Sequence, residues 1–259
     1  MLSKNKIKYI HSLELKKRRN EECAFVAEGP KLVADLLGHF DCRYIAATEL
    51  WMERNTAALS SIIKNQCEVD LVTDEELRKA SFLDAPQQVL AVFSQRSSED
   101  TDFAGIVSSS LAIALDDVQN PGNLGTIIRL ADWFGIEHIF CSKGSADVYN
   151  PKTIQATMGS IARVNVHYCD LEGLIKSLHP DTPVYGTFLD GSNIYDEKLE
   201  QKGIIVMGNE GRGVSEEIGK LVTSRLYVPN YPEDRETGES LNVAIATAIV
   251  CSEFRRRAL

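Results

Sequence analysis

Three polar, glycine-containing turns follow apolar runs in the second half of this 259-residue chain: Asn120–Gly125 (NPGNLG), Gly208–Gly213 (GNEGRG) and Pro229–Asn242 (PNYPEDRETGESLN). Glycine at a strand end lets backbone N–H and C=O groups approach a ligand closely. Several such turns on one sheet would hold a nucleoside-like molecule mainly through the main chain, although each taken singly is also compatible with a plain turn. None has the G-x-G-x-x-G spacing of a dinucleotide site, and no Lys-Ser/Thr follows the glycines as in a P-loop. A nicotinamide or ATP site is therefore not supported. The first turn opens a helical pattern in which Leu124, Ile127, Ile128, Ala131 and Phe134 share one stripe. Arg129 falls nearly opposite, with Trp133 one turn beyond. A cation and an indole on the non-core face predict contact with a substrate or a second subunit. The competing readings are local: Arg129 paired with Asp132 at i+3, and Asn123 as a helix cap.

These groups need a sheet to position them. In the front half, Ile7, Ile10 and Leu13 mark an amphipathic helix, and strands are expected at 24–29, 43–48, 67–72 and 88–93. Pro30 suits a helix start, and Thr73 to Glu76 has the spacing of a capping box. This alternation predicts a small α/β domain over residues 1–95. The run SQRSSEDTD (94–102) is polar and aperiodic, which places a linker at 96–108 and a second α/β domain at 109–259. Strand candidates there are 110–115, 137–142, 163–168, 183–188, 203–208 and 224–229. Runs such as Ile204-Ile205-Val206-Met207 are apolar at consecutive positions, as in a mainly parallel sheet covered on both faces. The last helix pattern, 241–254, is apolar nearly all round and must be buried on every side, within the chain or in a dimer.

At 44% hydrophobic and 25% charged, the composition is that of a water-soluble globular protein. No run is long enough to span a bilayer and no secretion signal opens the chain, so a cytoplasmic location is expected. The six cysteines are scattered without a C-x-x-C and the five histidines without H-E-x-x-H, so reduced thiols and no metal are expected. The net charge of −9 argues against nucleic acid, but the excess lies almost wholly after residue 95. Among the first twenty residues, Lys4, Lys6, Lys8, Lys16, Lys17, Arg18 and Arg19 face a single acid, Glu14. Such a patch reads equally as an RNA-phosphate contact or as a solvated helix face.

The order N-x-G-x-x-x-R (Asn123–Arg129), M-G-x-E-G-x-G (Met207–Gly213) and E-S-L-N-V (Glu239–Val243) before an apolar helix resembles the three motifs of the SpoU/TrmH family. Those proteins are SPOUT-class RNA ribose 2′-O-methyltransferases that use S-adenosylmethionine. The stretch 15–37 (LKKRRNEECAFVAEGPKLVADLL) is similar to the N-terminal RNA substrate-binding domain of many members, so the resemblance spans nearly the whole chain. It implies a deep trefoil knot in the C-terminal domain, which general topology rules would not predict, and an obligate homodimer.

Carried over position by position, the resemblance implies catalytic roles for Arg129, Asn123, Glu210, Ser240 and Asn242. It implies contact with the methyl donor around Thr187, Gly208, Val228 and Leu241, and RNA binding by Lys16, Lys17, Arg18, Arg19 and Arg129. Ser240 is also well placed to cap the last helix. The implied substrate is structured RNA, large-subunit ribosomal RNA ahead of transfer RNA, since the simplest transfer-RNA members lack the N-terminal domain. The alternatives are a non-catalytic RNA-binding dimer or a base methyltransferase of the same class. An arginine is a poor base, so Arg129, held by Asn123 and Glu210, is expected to clamp phosphate and stabilise a developing alkoxide. The chain departs from the family pattern in two places. Tyr231–Thr237 lengthens the third loop, and Gln155 stands where the family often has arginine.

Overall fold

The structure, a computed structural model, describes residues 2–57, 59, 67–96, 101–232, 238 and 240–258. They form two compact units, Met1–Ser97 with Asp147–Ala162, and Ser98–Ala146 with Arg163–Leu259. Part of the expected linker, 97–100, lies outside the described residues, as do 233–237 and Glu239 of the third loop.

In the first unit the elements run α1 (Lys4–Ser12), α2 (Lys16–Glu22), β1 (Ala24–Glu28), α3 (Pro30–Leu36), β2 (Cys42–Ala47), α4 (Glu49–Arg54), β3 (Glu68–Leu71), α5 (Asp74–Ala80) and β4 (Val89–Ser94). The strands form one sheet in the order β1-β4-β2-β3, with only the β2–β3 pair parallel. One face packs Ile10, Leu13, Val26, Leu77, Leu90 and Val92. Phe25 packs with Phe40, Phe93 and Tyr149. Tyr149 reaches this core because the segment 147–162, with α8 (Pro151–Thr157), belongs to this unit. The single opening helix expected from periodicity is two, because the chain bends at Leu13, which is fully buried. The capping box is realised: Glu76 N donates to Thr73 Oγ1 at 3.2 Å and Thr73 N to Glu76 Oε2 at 3.1 Å.

The second unit contains α6 (Phe103–Ser109), β5 (Leu111–Leu115), α7 (Pro121–Trp133), β6 (His138–Cys141), β7 (Asn165–Tyr168), α9 (Leu171–Ser177), β8 (Val184–Asn193), β9 (Gly203–Met207), α10 (Glu216–Gly219), β10 (Ser224–Tyr227) and α11 (Val243–Arg256). Its sheet has the order β10-β8-β9-β5-β6-β7 and every pair is parallel. All residues of β5 and β9 are buried, as a sheet covered on both faces requires. Helix α6 overlaps the end of the stretch read as linker. Asp102 caps it, accepting from Gly105 N at 3.0 Å, and Val107 anchors it in the core. Strand β8 runs to Asn193, beyond the expected 188, and its pairing with β10 jumps from Gly186 to Ser192, so Thr187–Gly191 leave that ladder. No helix among the described residues is long and apolar enough to cross a membrane.

The order reverses at β5. The chain moves outward through β6 and β7, then crosses to the other side for β8 and returns to β9 beside β5. In parallel α/β sheets, ligands bind at such a switch point, outside the carboxyl ends of the strands.

Candidate active site at the carboxyl ends of the central strands

Strands β5 and β9 end in register, Leu115 opposite Met207, so the loops that follow start side by side. Asp116 and Asp117 tie them together. Asp116 N donates to the Met207 carbonyl at 2.9 Å, and its Oδ2 accepts from Ser215 N at 2.8 Å. Asp117 pairs with Arg212, and its carbonyl accepts from Asn209 Nδ2 at 2.7 Å. Asp117 adopts φ 60°, unusual for a residue with a Cβ, which the partners around it fix in place. The 208–213 loop also closes on itself: Asn209 and Gly213 exchange both backbone hydrogen bonds at 2.9 Å. A Cβ at Gly208 would lie 2.2 Å from the Gly213 carbonyl carbon, and Gly213 has φ +71°. These two glycines are thus required by the loop itself, whatever they present to a ligand.

The three motifs meet at Asn123. Its Nδ2 donates to Glu210 Oε1 at 2.9 Å, and its Oδ1 accepts from Asn242 Nδ2 at 3.1 Å. A side-chain amide with both ends engaged has a fixed orientation. Partial burial opposes ionisation of Glu210, but the Asn123 amide and the N–H groups of Glu210, Gln119 and Asn120 outweigh it, holding the carboxyl below its ordinary range.

The cap of α7 is Asn120, whose Oδ1 accepts from Gly122 N at 2.8 Å and Asn123 N at 3.2 Å, so Asn123 is free for the relay. The cap of α11 is Asn242, accepting from Ala244 N at 3.0 Å and Ile245 N at 3.3 Å. The capping role expected of Ser240 belongs to Asn242; Ser240 is exposed.

Arg129 projects from the exposed side of α7, while Leu124, Ile127, Ile128 and Ala131 are buried. The structure does not place it in the grip of Asn123 and Glu210, which hold each other instead. Nor does it pair with Asp132: that carboxylate is taken by Arg163, with Nε at 2.9 Å from Oδ1 and Nη2 at 2.6 Å from Oδ2. Arg129 has no hydrogen-bond or ion-pair partner among the described residues, leaving its planar set of donors open to a ligand.

Three of the four expected donor-contact residues lie on or directly after adjoining strands. Thr187 lies on β8, where its hydroxyl donates to the Val206 carbonyl at 3.3 Å. Gly208 directly follows β9, and Val228 directly follows β10. Leu241, at the foot of α11, is 51% exposed. Main-chain groups at strand ends, half-buried Val228 and the open Leu241 side chain suit a flat heteroaromatic ring, the part of S-adenosylmethionine that needs no charged partner.

The basic run divides. Lys16 and Lys17 are exposed on α2, and Arg18 pairs with Glu21 at 2.6 Å and Glu22 at 3.1 Å. Arg19 is a correction: it is 1% exposed, and its guanidinium binds Asp147 Oδ2 at 2.5 Å and the carbonyls of Leu13 and Glu14 at 2.9 and 2.6 Å. With its donors engaged inside the unit, Arg19 holds the fold together and presents nothing to RNA. Gln155 is half-buried on α8, in the same unit.

Sequence reasoning did not single out Asp116, Asp117, Asn209 and Arg212 as the groups that lock the loops. The available signal was an adjacent pair of carboxylates closing a run that is otherwise apolar.

A parallel α/β domain with loops gathered at its switch point, accompanied by a smaller α/β unit, has the architecture of a doubly-wound ligand-binding protein. Residues 110–252 match the SpoU rRNA Methylase family and residues 4–91 the MRM3-like substrate binding domain, and the chain belongs to the SpoU rRNA methylase family. It is 28% identical over 96% of both chains to the 23S rRNA (guanosine(2553)-2′-O)-methyltransferase RlmP of Bacillus subtilis. Among solved structures, a TrmH-family protein from Porphyromonas gingivalis is 40% identical over 99% of both chains, with a TM-score of 0.84. The AdoMet-bound rRNA methyltransferase from Sinorhizobium meliloti is 29% identical over 100% of this chain and 97% of that one, with a TM-score of 0.87.

Proposed function

We propose that this protein transfers the methyl group of S-adenosylmethionine to a ribose 2′-hydroxyl of structured RNA, with large-subunit ribosomal RNA as substrate. The observation that carries the reading is the Glu210–Asn123–Asn242 relay, which joins the three motif segments at the start of the helix that also carries Arg129, a cation with no partner among the described residues. The relatives act on ribosomal RNA by name, and the N-terminal unit matches a substrate-binding domain.

When bound, S-adenosylmethionine supplies an electrophilic methyl group. The chain's own residues do the rest. Thr187, Gly208, Val228 and Leu241 bind the donor. Arg129 offers its guanidinium to the phosphate next to the reacting ribose and to the charge that develops on the 2′-oxygen. It is a hydrogen-bond donor and a poor proton acceptor, so its work is orientation and charge stabilisation. Asn123 and Glu210 fix the first turn against the second loop, with Ser240 and Asn242 beside them at the third. Lys16, Lys17 and Arg18 add phosphate contacts from the N-terminal unit, and the catalytic unit is taken as a knotted domain.

The same reading includes a homodimer acting in the cytoplasm. Trp133 is 84% exposed, and α11 buries one face while Ile245 on another stays 55% exposed. An indole this exposed, with Ile245 exposed at the start of α11, is what supports an interface between two copies. The experiment is methyl transfer from labelled S-adenosylmethionine to ribosomal RNA, with 2′-O-methyl sites mapped in RNA from cells with and without the gene. An unchanged map, or calorimetry that detects no donor binding, overturns the proposal.

A further inference from the structure

Arg129 and Asp132 lie three residues apart on α7, within reach of each other on one helix face. Left to themselves they would form a local ion pair, and the cation needed for RNA would be occupied. Arg163 prevents it. Its guanidinium meets Asp132 side-on, with Nε at 2.9 and 3.1 Å from the two carboxylate oxygens and Nη2 at 2.6 Å from one of them. A two-pronged Arg–carboxylate contact is stronger and more directional than a flexible pair along a helix. The helix itself also disfavours the alternative. Asp132 sits in the last turn of α7, where an anion faces the negative end of the dipole, and a cation N-terminal to its anion is the weaker order. Asp132 therefore needs a cation from outside the helix.

We infer that Arg163 is a positioning residue for RNA: by occupying Asp132 it keeps the Arg129 guanidinium open and cancels a carboxylate that would otherwise repel the incoming phosphate. The inference rests on the reading that Arg129 faces RNA. Both effects are electrostatic and close to the surface, Arg163 being 48% exposed and Asp132 21%. Their size follows from a surface helix pair plus one unscreened like charge near the phosphate, which amounts to about a three- to tenfold change.

The test compares kcat/KM for RNA methylation by the wild type, Arg163→Ala and Arg163→Ala/Asp132→Asn. Arg163→Ala is expected to lose about three- to tenfold, mainly through KM for RNA, with the loss shrinking as salt is raised. The double variant is expected to return to within about twofold of the wild type, because the competing carboxylate is gone. A purely structural pair would give the opposite order, the double variant no better than the single one at any salt; that result, or an unaffected Arg163→Ala, overturns the inference. A crystal structure of Arg163→Ala judges it independently of activity: Arg129 seated on Asp132 supports it, and Arg129 still directed away overturns it. If the wild type does not methylate RNA, or Arg129→Ala costs nothing, the functional reading fails and the structural arm alone decides whether Arg163 holds Asp132 away from Arg129.

Discussion

Arg19 and Asp147 are separated by 128 positions, and the guanidinium Nη2 of the first lies 2.5 Å from the carboxylate of the second. Arg19 is 1% exposed and the Asp147 side chain 12%. A charge left alone in such a place is costly, so Arg19→Met is expected to lose about 3–5 kcal/mol of stability. Adding Asp147→Asn should recover part of that loss. Urea denaturation of the wild type and both variants measures it; a loss below about 1 kcal/mol for Arg19→Met would mean the site rehydrates.

That pair also marks where sequence reading stops. Lys16, Lys17, Arg18 and Arg19 are four consecutive basic residues, and only a partner far along the chain tells the buried one from the exposed ones. Local signals travelled well by contrast. The Thr73 capping box, Pro30 opening α3 and the buried stripe Leu124, Ile127, Ile128 and Ala131 depend on neighbours within one or two turns. The parallel sheet was legible because β5 and β9 are apolar at every position. The site was legible as three motifs, but not as a relay. Which asparagine caps and which reaches across is decided by loop geometry, as Asn120 and Asn123 illustrate.

The relay can be separated from capping at Asn242. Asn242→Ser keeps a good N-cap but cannot donate an amide to Asn123. It is expected to retain stability while methyl transfer falls by about 10- to 100-fold through lost positioning. Asn123→Asp should be worse still, since it sets a second carboxylate against Glu210. Paired denaturation and activity measurements check this, and parallel losses in both would reduce the relay to a structural bond.

The rings of His138 and His167 stack with 11° between their planes, and Nδ1 of the first lies 3.1 Å from Nε2 of the second. Burial, and then the neighbouring His138, push His167 down to about 4, and burial lowers His138 as well. Between the ordinary value of about 6.5 and these lowered ones, the unfolded chain binds protons that the folded chain refuses. Stability therefore falls as pH drops through that window, by about 2 kcal/mol for His167 allowing for its partial exposure. Urea midpoints at pH 7, 5.5 and 4.5 should show the fall, and His167→Phe, which keeps an aromatic ring against Phe103 and Phe140, should flatten it.

Trp133→Glu replaces the most exposed part of the apolar surface on α7 with a charge. If that surface joins two copies, the variant should run as a monomer in light scattering while its far-ultraviolet circular dichroism is unchanged. A wild type that is itself monomeric at micromolar concentration would overturn the dimer reading.

The first compact unit takes in both Met1–Ser97 and Asp147–Ala162, so the polypeptide enters the second unit, returns, and leaves again. The N-terminal unit is thus not a bead that one cut or one graft can move. A fragment ending at Ser97 would strand Arg19 without Asp147 and Phe25 without Tyr149. A chimera that borrows the RNA-recognition unit of a relative must exchange two stretches of chain together. Substitutions in 147–162 would likewise have to match a first unit encoded far upstream, a constraint between distant parts of the gene that a simple two-bead arrangement would not impose.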